Sequence, residues 1–281
     1  MNTFLARGLR MHAVAACIAS IALTAESVAF AAPSAPSTPD VPSLLRAADR
    51  FRSDAEHLQV QTRVTVVKAD GSLDKERLYT VLLQGDRRSL VLMRSPAEAG
   101  QKVLMLGEDF WLLMPASQRP IRITPTQKLL GDAATGDIAT LSWAGDYQGR
   151  VVGEERCEGN EGSAAAGKGE GPGRPCLHLS LEGARKGLSY SRVELWLGAV
   201  RHEPIRAELY VQSDKLAKNA RFVYENAPGA AGAPVMVSEM VLTDRLGSNK
   251  ETRVRYLARL PRTVPEAWFN PMFLARNPAL D

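Results

Sequence analysis

The chain is short of the residues that usually carry catalysis and metal binding. Its 281 residues hold three cysteines and four histidines, and aromatic side chains make up only 6%. His57, His178 and His202 are too far apart in sequence to share a metal-ligand spacing, and no H-E-x-x-H neighbourhood surrounds any of them. Neither charge sign dominates: 35 Lys plus Arg stand against 31 Asp plus Glu, a formal net charge of +4. The bases are scattered among acids without an interleaved aromatic stripe, which argues against nucleic acid as a partner. Long apolar runs are also missing. The one candidate, Ala13 to Leu23, falls short of the roughly 20 apolar residues that a membrane-crossing helix needs.

That run fits the middle of a secretory leader instead. Arg7 and Arg10 precede it, and Ala29-Phe30-Ala31 places small residues where a signal peptidase reads them. Residues 1–31 are therefore read as a cleaved signal peptide, and the mature chain as periplasmic. Val14-Ala15-Ala16-Cys17 offers an alternative, a lipid anchor on Cys17, but too little apolar sequence precedes that cysteine.

Export to an oxidising compartment makes a Cys157–Cys176 disulfide the expectation for the two remaining cysteines. The bridge would pin a Gly-, Ala- and Glu-rich insertion between them. Residues 32–42, rich in Pro, Ser, Ala and Thr, read as a disordered leader with nothing to bury. Leu44, Leu45, Ala48 and Phe51 then share one face of a short helix that Ser43 is placed to cap.

From Leu58 the period changes to two. Leu58, Val60, Val64 and Val66 alternate with Gln59, Gln61, Arg63 and Thr65, as in a half-buried strand. The next strands are apolar on both faces: Tyr79 to Leu83, Leu90 to Met93, Val103 to Leu106 and Phe110 to Met114. In an antiparallel sheet this requires cover on both surfaces. The segment from Thr126 to Tyr147, broken by Gly131, Gly136 and Gly145, reads as helical pieces too short to stand alone, hence as a lid over those strands.

Strand patterns resume at Gly149 and continue to Leu260. The final hairpin turns at Leu246 to Asn249, with Val254, Tyr256 and Leu260 on one face and Arg253, Arg255 and Arg259 on the other. Trp268, Phe269, Met272, Phe273 and Leu274 are expected as a short helix on the sheet edge. The fold class is mainly β, about eleven strands in one domain spanning residues 43–281, with a disulfide-closed loop at 157–176.

Catalytic signatures are absent from the sequence. Gly162 to Lys168 imitates a phosphate loop, but Gly169 stands where Ser or Thr must follow, and neither strand nor helix frames it. No G-x-S-x-G elbow occurs. Glu154-Glu155 and Glu108-Asp109 read as solvated pairs at turns or strand ends. No catalytic residue, metal or cofactor is assigned, and the chain is read as a non-enzyme.

Several short stretches together resemble the LolA-like outer-membrane lipoprotein-sorting family. They are Ser95-Pro96-Ala97-Glu98-Ala99-Gly100, Phe110 to Pro115 with Arg119 and Arg122 behind it, Gly136-Asp137-Ile138-Ala139 before Trp143, and Tyr190 to Leu197 leading to Pro204 to Glu208. The resemblance implies an incomplete antiparallel barrel closed by helices, with an apolar concave face that receives acyl chains. On it, Tyr79, Val81, Leu92, Met105, Trp111 and Leu113 are expected to line a groove, and Leu129, Leu130, Ile138, Leu141 and Trp143 to cap it. The implied role is a monomeric periplasmic carrier of an acylated lipoprotein or lipid, loaded by inner-membrane export machinery and unloaded at a peripheral outer-membrane acceptor. A sensor or accessory subunit on the same scaffold is the alternative. The Cys157–Cys176 insertion and the Leu129 to Ala134 stretch depart from the family pattern, which leaves the cargo open.

Overall fold

The structure, a computed structural model, describes residues 40–53, 55–85, 87–117, 119–124, 142–157, 173–224 and 236–276. Residues 32–39 of the expected leader, the phosphate-loop imitation and lid residues Leu129, Leu130, Ile138 and Leu141 lie outside the described residues, while Val41 and Pro42, read as leader, are helical. Among those described, no helix is long and apolar enough to cross a membrane.

One antiparallel sheet of thirteen strands dominates, two more than the sequence pattern suggests. In chain order the strands are β1 (His57–Val67), β2 (Leu73–Gln84), β3 (Arg88–Met93), β4 (Lys102–Leu106), β5 (Asp109–Leu113), β6 (Ile121–Ile123) and β7 (Tyr147–Cys157). Then come β8 (Arg174–Gly183), β9 (Arg192–Gly198), β10 (Pro204–Tyr210), β11 (Leu216–Tyr224), β12 (Val237–Asp244) and β13 (Glu251–Pro261). Each strand pairs with its sequence neighbour except where β1 meets β13, and the order from edge to edge runs β6 to β1, then β13 to β7. The first and last strands thus join two meanders at the middle of the sheet. The edges β6 and β7 stay unpaired with each other, so the barrel is open.

Helix α1 (Val41–Asp49) begins three residues before the sequence reading places it. Pro42 explains the shift, because a proline in the first turn surrenders only an N–H that has no helical partner anyway. Asp40 is the N-cap residue, and Ser43, inside the helix, instead accepts a hydrogen bond from Arg46 Nη2 at 2.9 Å. Val41, Leu44, Leu45 and Ala48 are buried in the concave core with Val60, Val81, Leu195 and Phe222. That face of the helix supplies what the inner sheet surface needs.

The doubly apolar strands are covered on both sides. Tyr79, Val81, Val91, Val103 and Met105 belong to the concave core. Leu82, Leu90, Leu92, Leu104 and Leu113 form a second cluster on the outer face, closed by Val264, Phe269 and Leu274. The outer cover is therefore the C-terminal strap. It folds as two 3-10 turns, Glu266–Phe269 and Pro271–Arg276, lying over β3, β4 and β5 rather than as a helix at the sheet edge. Pro265 and Pro271 lack the N–H groups that a continuous α-helix would use. The strap is tied down where Arg88 binds Glu266 and where Lys102 Nζ donates to the Leu274 carbonyl at 3.0 Å.

One irregularity alters the reading of the last hairpin. Gln61 pairs with Ala258 while Thr62 pairs with Tyr256, so Leu257 is an extra residue, a β-bulge. It reverses the alternation downstream. Val254 and Tyr256 face the core, whereas Leu260 turns to the outside and is half exposed. Arg259 turns inward, its guanidinium 4.5 Å from the Tyr256 ring centre.

Cys157 and Cys176 form the expected disulfide, joining β7 to β8 and packed against Trp196 and Ile205.

Candidate functional site

The concave side of the sheet holds an apolar cavity of about 70 Å³ between β4, β5 and β9–β12. Met105, Phe110, Leu209, Ala220, Phe222 and Met240 are among its walls. These positions are adjacent in space because strands with period two present alternate residues to one face. Trp143 closes the cavity from above, packed edge-on against Phe222 at 5.6 Å. The buried Arg52 guanidinium lies 4.3 Å from the Trp143 ring centre, a cation–π contact that holds the indole in place.

A wider recess of about 630 Å³ adjoins this cavity and shares Arg87, Met105, Ser142 and Asp146 with it. Asp49, Glu56, Arg88, Glu108 and Arg185 add charge around the recess. The two spaces together make a charged mouth leading into an oily interior.

Asp49 anchors the roof. At the end of α1, one carboxylate oxygen accepts from the Trp143 N–H at 2.8 Å, and the other accepts from Ser142 Oγ at 2.7 Å and the Ala144 N–H at 2.8 Å. A carboxylate at a helix C-terminus opposes the helix dipole. Its place there is explained by the three donors it gathers from residues 142–144. Desolvation raises the Asp49 carboxyl above its usual range, against the lowering effect of those donors and of Arg52.

Gly145, at φ +80, allows the sharp turn that follows Trp143 and brings Asp146 back under the roof. The Asp146 side chain is only 2% exposed, and Arg87 Nε stands 2.9 Å from its Oδ1. This is a charge contact outside hydrogen-bonding geometry, since Asp146 Oδ1 and Arg87 Nη1 have no hydrogen-bond partner among the described residues. Arg185 lies further off, at 3.8 Å. Burial raises the Asp146 carboxyl, and the two arginines only partly offset it.

The residues expected to line one groove divide between the two faces of the sheet. Tyr79, Val81 and Met105 are on the concave side, and only Met105 touches the cavity. Leu92, Trp111 and Leu113 pack on the outer face beneath the C-terminal strap. Trp143, expected in the lid, is among the residues that line the concave cavity. Sequence reasoning missed Phe222, Met240, Leu209 and Ala220, although period two within β10, β11 and β12 marks them as inward. It had no comparable signal for Arg87, Asp146 or Asp49, whose meeting depends on turns.

The carboxylate reading also changes. His178 stacks on Trp196 at 4.2 Å, with Glu155 and Glu194 each 2.9 Å from one of its ring nitrogens. Glu155 also accepts from Trp196 Nε1 at 2.9 Å, a bond that lowers its carboxyl, so it is engaged and not simply solvated. Asp109 pairs with Arg122, and Glu108 lines the mouth. Among the described residues, no group of three or more His, Cys, Asp or Glu is arranged to hold a metal ion.

An open, single-sheet half-barrel with a roofed concave cavity is the LolA-like fold, and solved structures bear this out. The chain is 27% identical to a LolA superfamily protein from Nitrosomonas europaea, over 83% of this chain and 98% of that one, with a TM-score of 0.70. A domain named for outer-membrane lipoprotein sorting from Vibrio parahaemolyticus aligns at 18% identity over 84% and 98%, with a TM-score of 0.63. A DUF1329 family protein from Desulfovibrio piger aligns at 20% over 83% and 98%, with a TM-score of 0.61. A family model described as "uncharacterized protein-like" matches residues 85–276, and the chain belongs to that family. No curated protein matches its sequence.

Proposed function

We propose that this protein is a periplasmic, non-enzymatic carrier that shelters an acyl chain of a lipid or lipoprotein on the concave side of its sheet. The observation that carries the reading is the roofed apolar cavity behind a charged mouth. Oily walls favour hydrocarbon by roughly 0.8 kcal/mol per buried methylene. The volume of about 70 Å³ admits only a few water-sized groups. A full chain therefore enters by moving the Trp143–Arg52 roof away from Phe222, and the charged mouth remains with the polar end of the cargo. In this reading an inner-membrane machine loads the carrier and an outer-membrane acceptor empties it.

The test is native mass spectrometry of the mature protein taken from its own envelope, paired with displacement of a fluorescent fatty acid. Co-purifying acyl lipid and displacement are expected. A lipid-free protein that also ignores the probe would overturn the proposal.

A further inference from the structure

A second recess, on the outer face, is unrelated to the concave cavity. It measures about 380 Å³ and is lined by Gln59, Gln61, Thr80, Arg94, Leu257 and Arg262, together with Thr62, Leu78 and Tyr79. Two features of the chain create it. The bulge at Leu257 interrupts the flat surface where β13 meets β1, and bulges recur beside binding sites because they re-aim side chains. The strap leaves β13 just beyond Pro261, so the outer face near Arg262 is not covered as the leucine cluster is.

The recess has two cations and no carboxylate in its lining. Among the described residues neither Arg94 nor Arg262 has an acidic partner, whereas Arg63, Arg77, Arg192 and Arg253 all do. Both guanidinium groups are held in place by neutral acceptors. Arg262 Nη1 donates to Gln59 Oε1 at 2.8 Å, and Arg94 Nε donates to Thr80 Oγ1 at 3.1 Å. Gln59 and Thr80 are themselves buried polar residues on the sheet. A guanidinium carries five N–H donors. One anchoring bond on each orients the fork and leaves donors for an oxyanion, the geometry in which arginine binds phosphate most strongly.

We infer that this outer recess is an anion site for a phosphate group, held between Arg94 and Arg262. Leu78 and Leu257 provide an apolar wall for whatever the phosphate is attached to. The same chemistry is offered by free phosphate and by the headgroup of an anionic phospholipid, and the two sources are separable.

The experiment uses the mature protein with inorganic phosphate in calorimetry and, separately, with vesicles of phosphatidylglycerol or phosphatidylcholine in flotation. Binding of phosphate in solution assigns the free ion. Binding to phosphatidylglycerol vesicles alone assigns the headgroup, and either result supports the site. The double substitution Arg94→Gln with Arg262→Gln is expected to weaken binding at least tenfold. Leu257→Glu, at an exposed position that leaves both arginines and their anchors intact, is expected to do the same by placing a carboxylate in the recess. Arg221→Gln, on an exposed part of β11 outside the recess, serves as the control and is expected to bind as wild type. Binding of neither probe, binding that survives Leu257→Glu, or an equal loss in Arg221→Gln would overturn the inference.

Discussion

Arg87 reaches Asp146 across the mouth of the concave cavity from a backbone that L-residues seldom adopt, with φ at +61. A left-handed residue other than glycine costs about 1 kcal/mol or more. The hairpin between β2 and β3 carries that strain while directing the side chain toward a buried carboxylate. Removing the arginine leaves Asp146 with only the more distant Arg185. Arg87→Ala is therefore expected to destabilise the protein by about 2–3 kcal/mol, less than the 3–5 of a fully buried pair because Arg87 keeps some solvent contact. Arg87→Gly should be about 1 kcal/mol less damaging than Arg87→Ala, since glycine accepts the turn. Adding Asp146→Asn to Arg87→Ala should recover part of the loss, as the stranded charge is gone. Urea unfolding of the four proteins checks all three statements.

The strap yields a second expectation. Phe269 is buried against the outer leucine cluster, beneath Arg88 with its guanidinium 5.0 Å from the ring centre. Phe269→Ala is expected to cost about 3–5 kcal/mol, the usual range for a buried phenylalanine. A chain ended after Arg262 should expose Leu82, Leu90, Leu92, Leu104 and Leu113 together, a patch of the kind that drives association. Dye binding to exposed apolar surface and light scattering would both rise. If truncation changed neither, the strap would not be the outer cover.

The need for cover on both faces was readable from Leu90-Val91-Leu92 and Val103-Leu104-Met105, but the identity of each cover was not. Periodicity tells that neighbours along a strand point oppositely. It does not tell which face curves inward, so Leu92, Trp111 and Leu113 entered the same expected groove as Met105. The apolar residues of the strap, Trp268, Phe269, Met272 and Phe273, are spaced as in a helix, and that period does not tell that the segment breaks at Pro271 into two 3-10 turns that cover the outer face. Leu257 hid in a different way. An added residue leaves no mark in composition, yet it reverses Arg259 and Leu260 and opens the outer recess.

The disulfide makes a third expectation. Its cysteines are 19 positions apart, and closing a loop of that length restrains the unfolded chain by about 3 kcal/mol. Cys157→Ser with Cys176→Ser should lower stability by roughly that amount while leaving acyl binding unchanged, because the bridge packs with Trp196 and Ile205 away from the cavity. Fluorescent fatty-acid titration alongside thermal unfolding checks both halves.

The roof anchor has a pH signature. Burial raises the Asp49 carboxyl, so the folded protein holds that proton more tightly than the unfolded chain does. The sign follows by linkage: this group's contribution is most favourable in acid and diminishes as pH rises from the ordinary carboxylate range through the raised folded value. Asp49→Asn cannot titrate. The stability of wild type relative to Asp49→Asn should therefore increase as pH falls from 7 toward 4. A difference that stayed flat, or that moved the other way, would show that the carboxylate is not held in a desolvating site.

Ala220 offers the most direct test of the concave cavity. It is a small residue on β11, buried and in the wall of the 70 Å³ space, paired with Ala207 on β10 and Leu242 on β12. Ala220→Leu adds three carbons to a space that has room for them, so the strain stays below the about 1–3 kcal/mol typical of a core already full. The same carbons occupy the volume into which an acyl chain would first insert. Fatty-acid affinity is expected to fall at least tenfold, with an unfolding midpoint close to that of wild type. Ala→Leu at a cavity wall separates two meanings of an apolar void. A void that binds cargo loses binding when filled and keeps its stability, whereas one that is only a packing gap gains stability and never bound cargo to begin with.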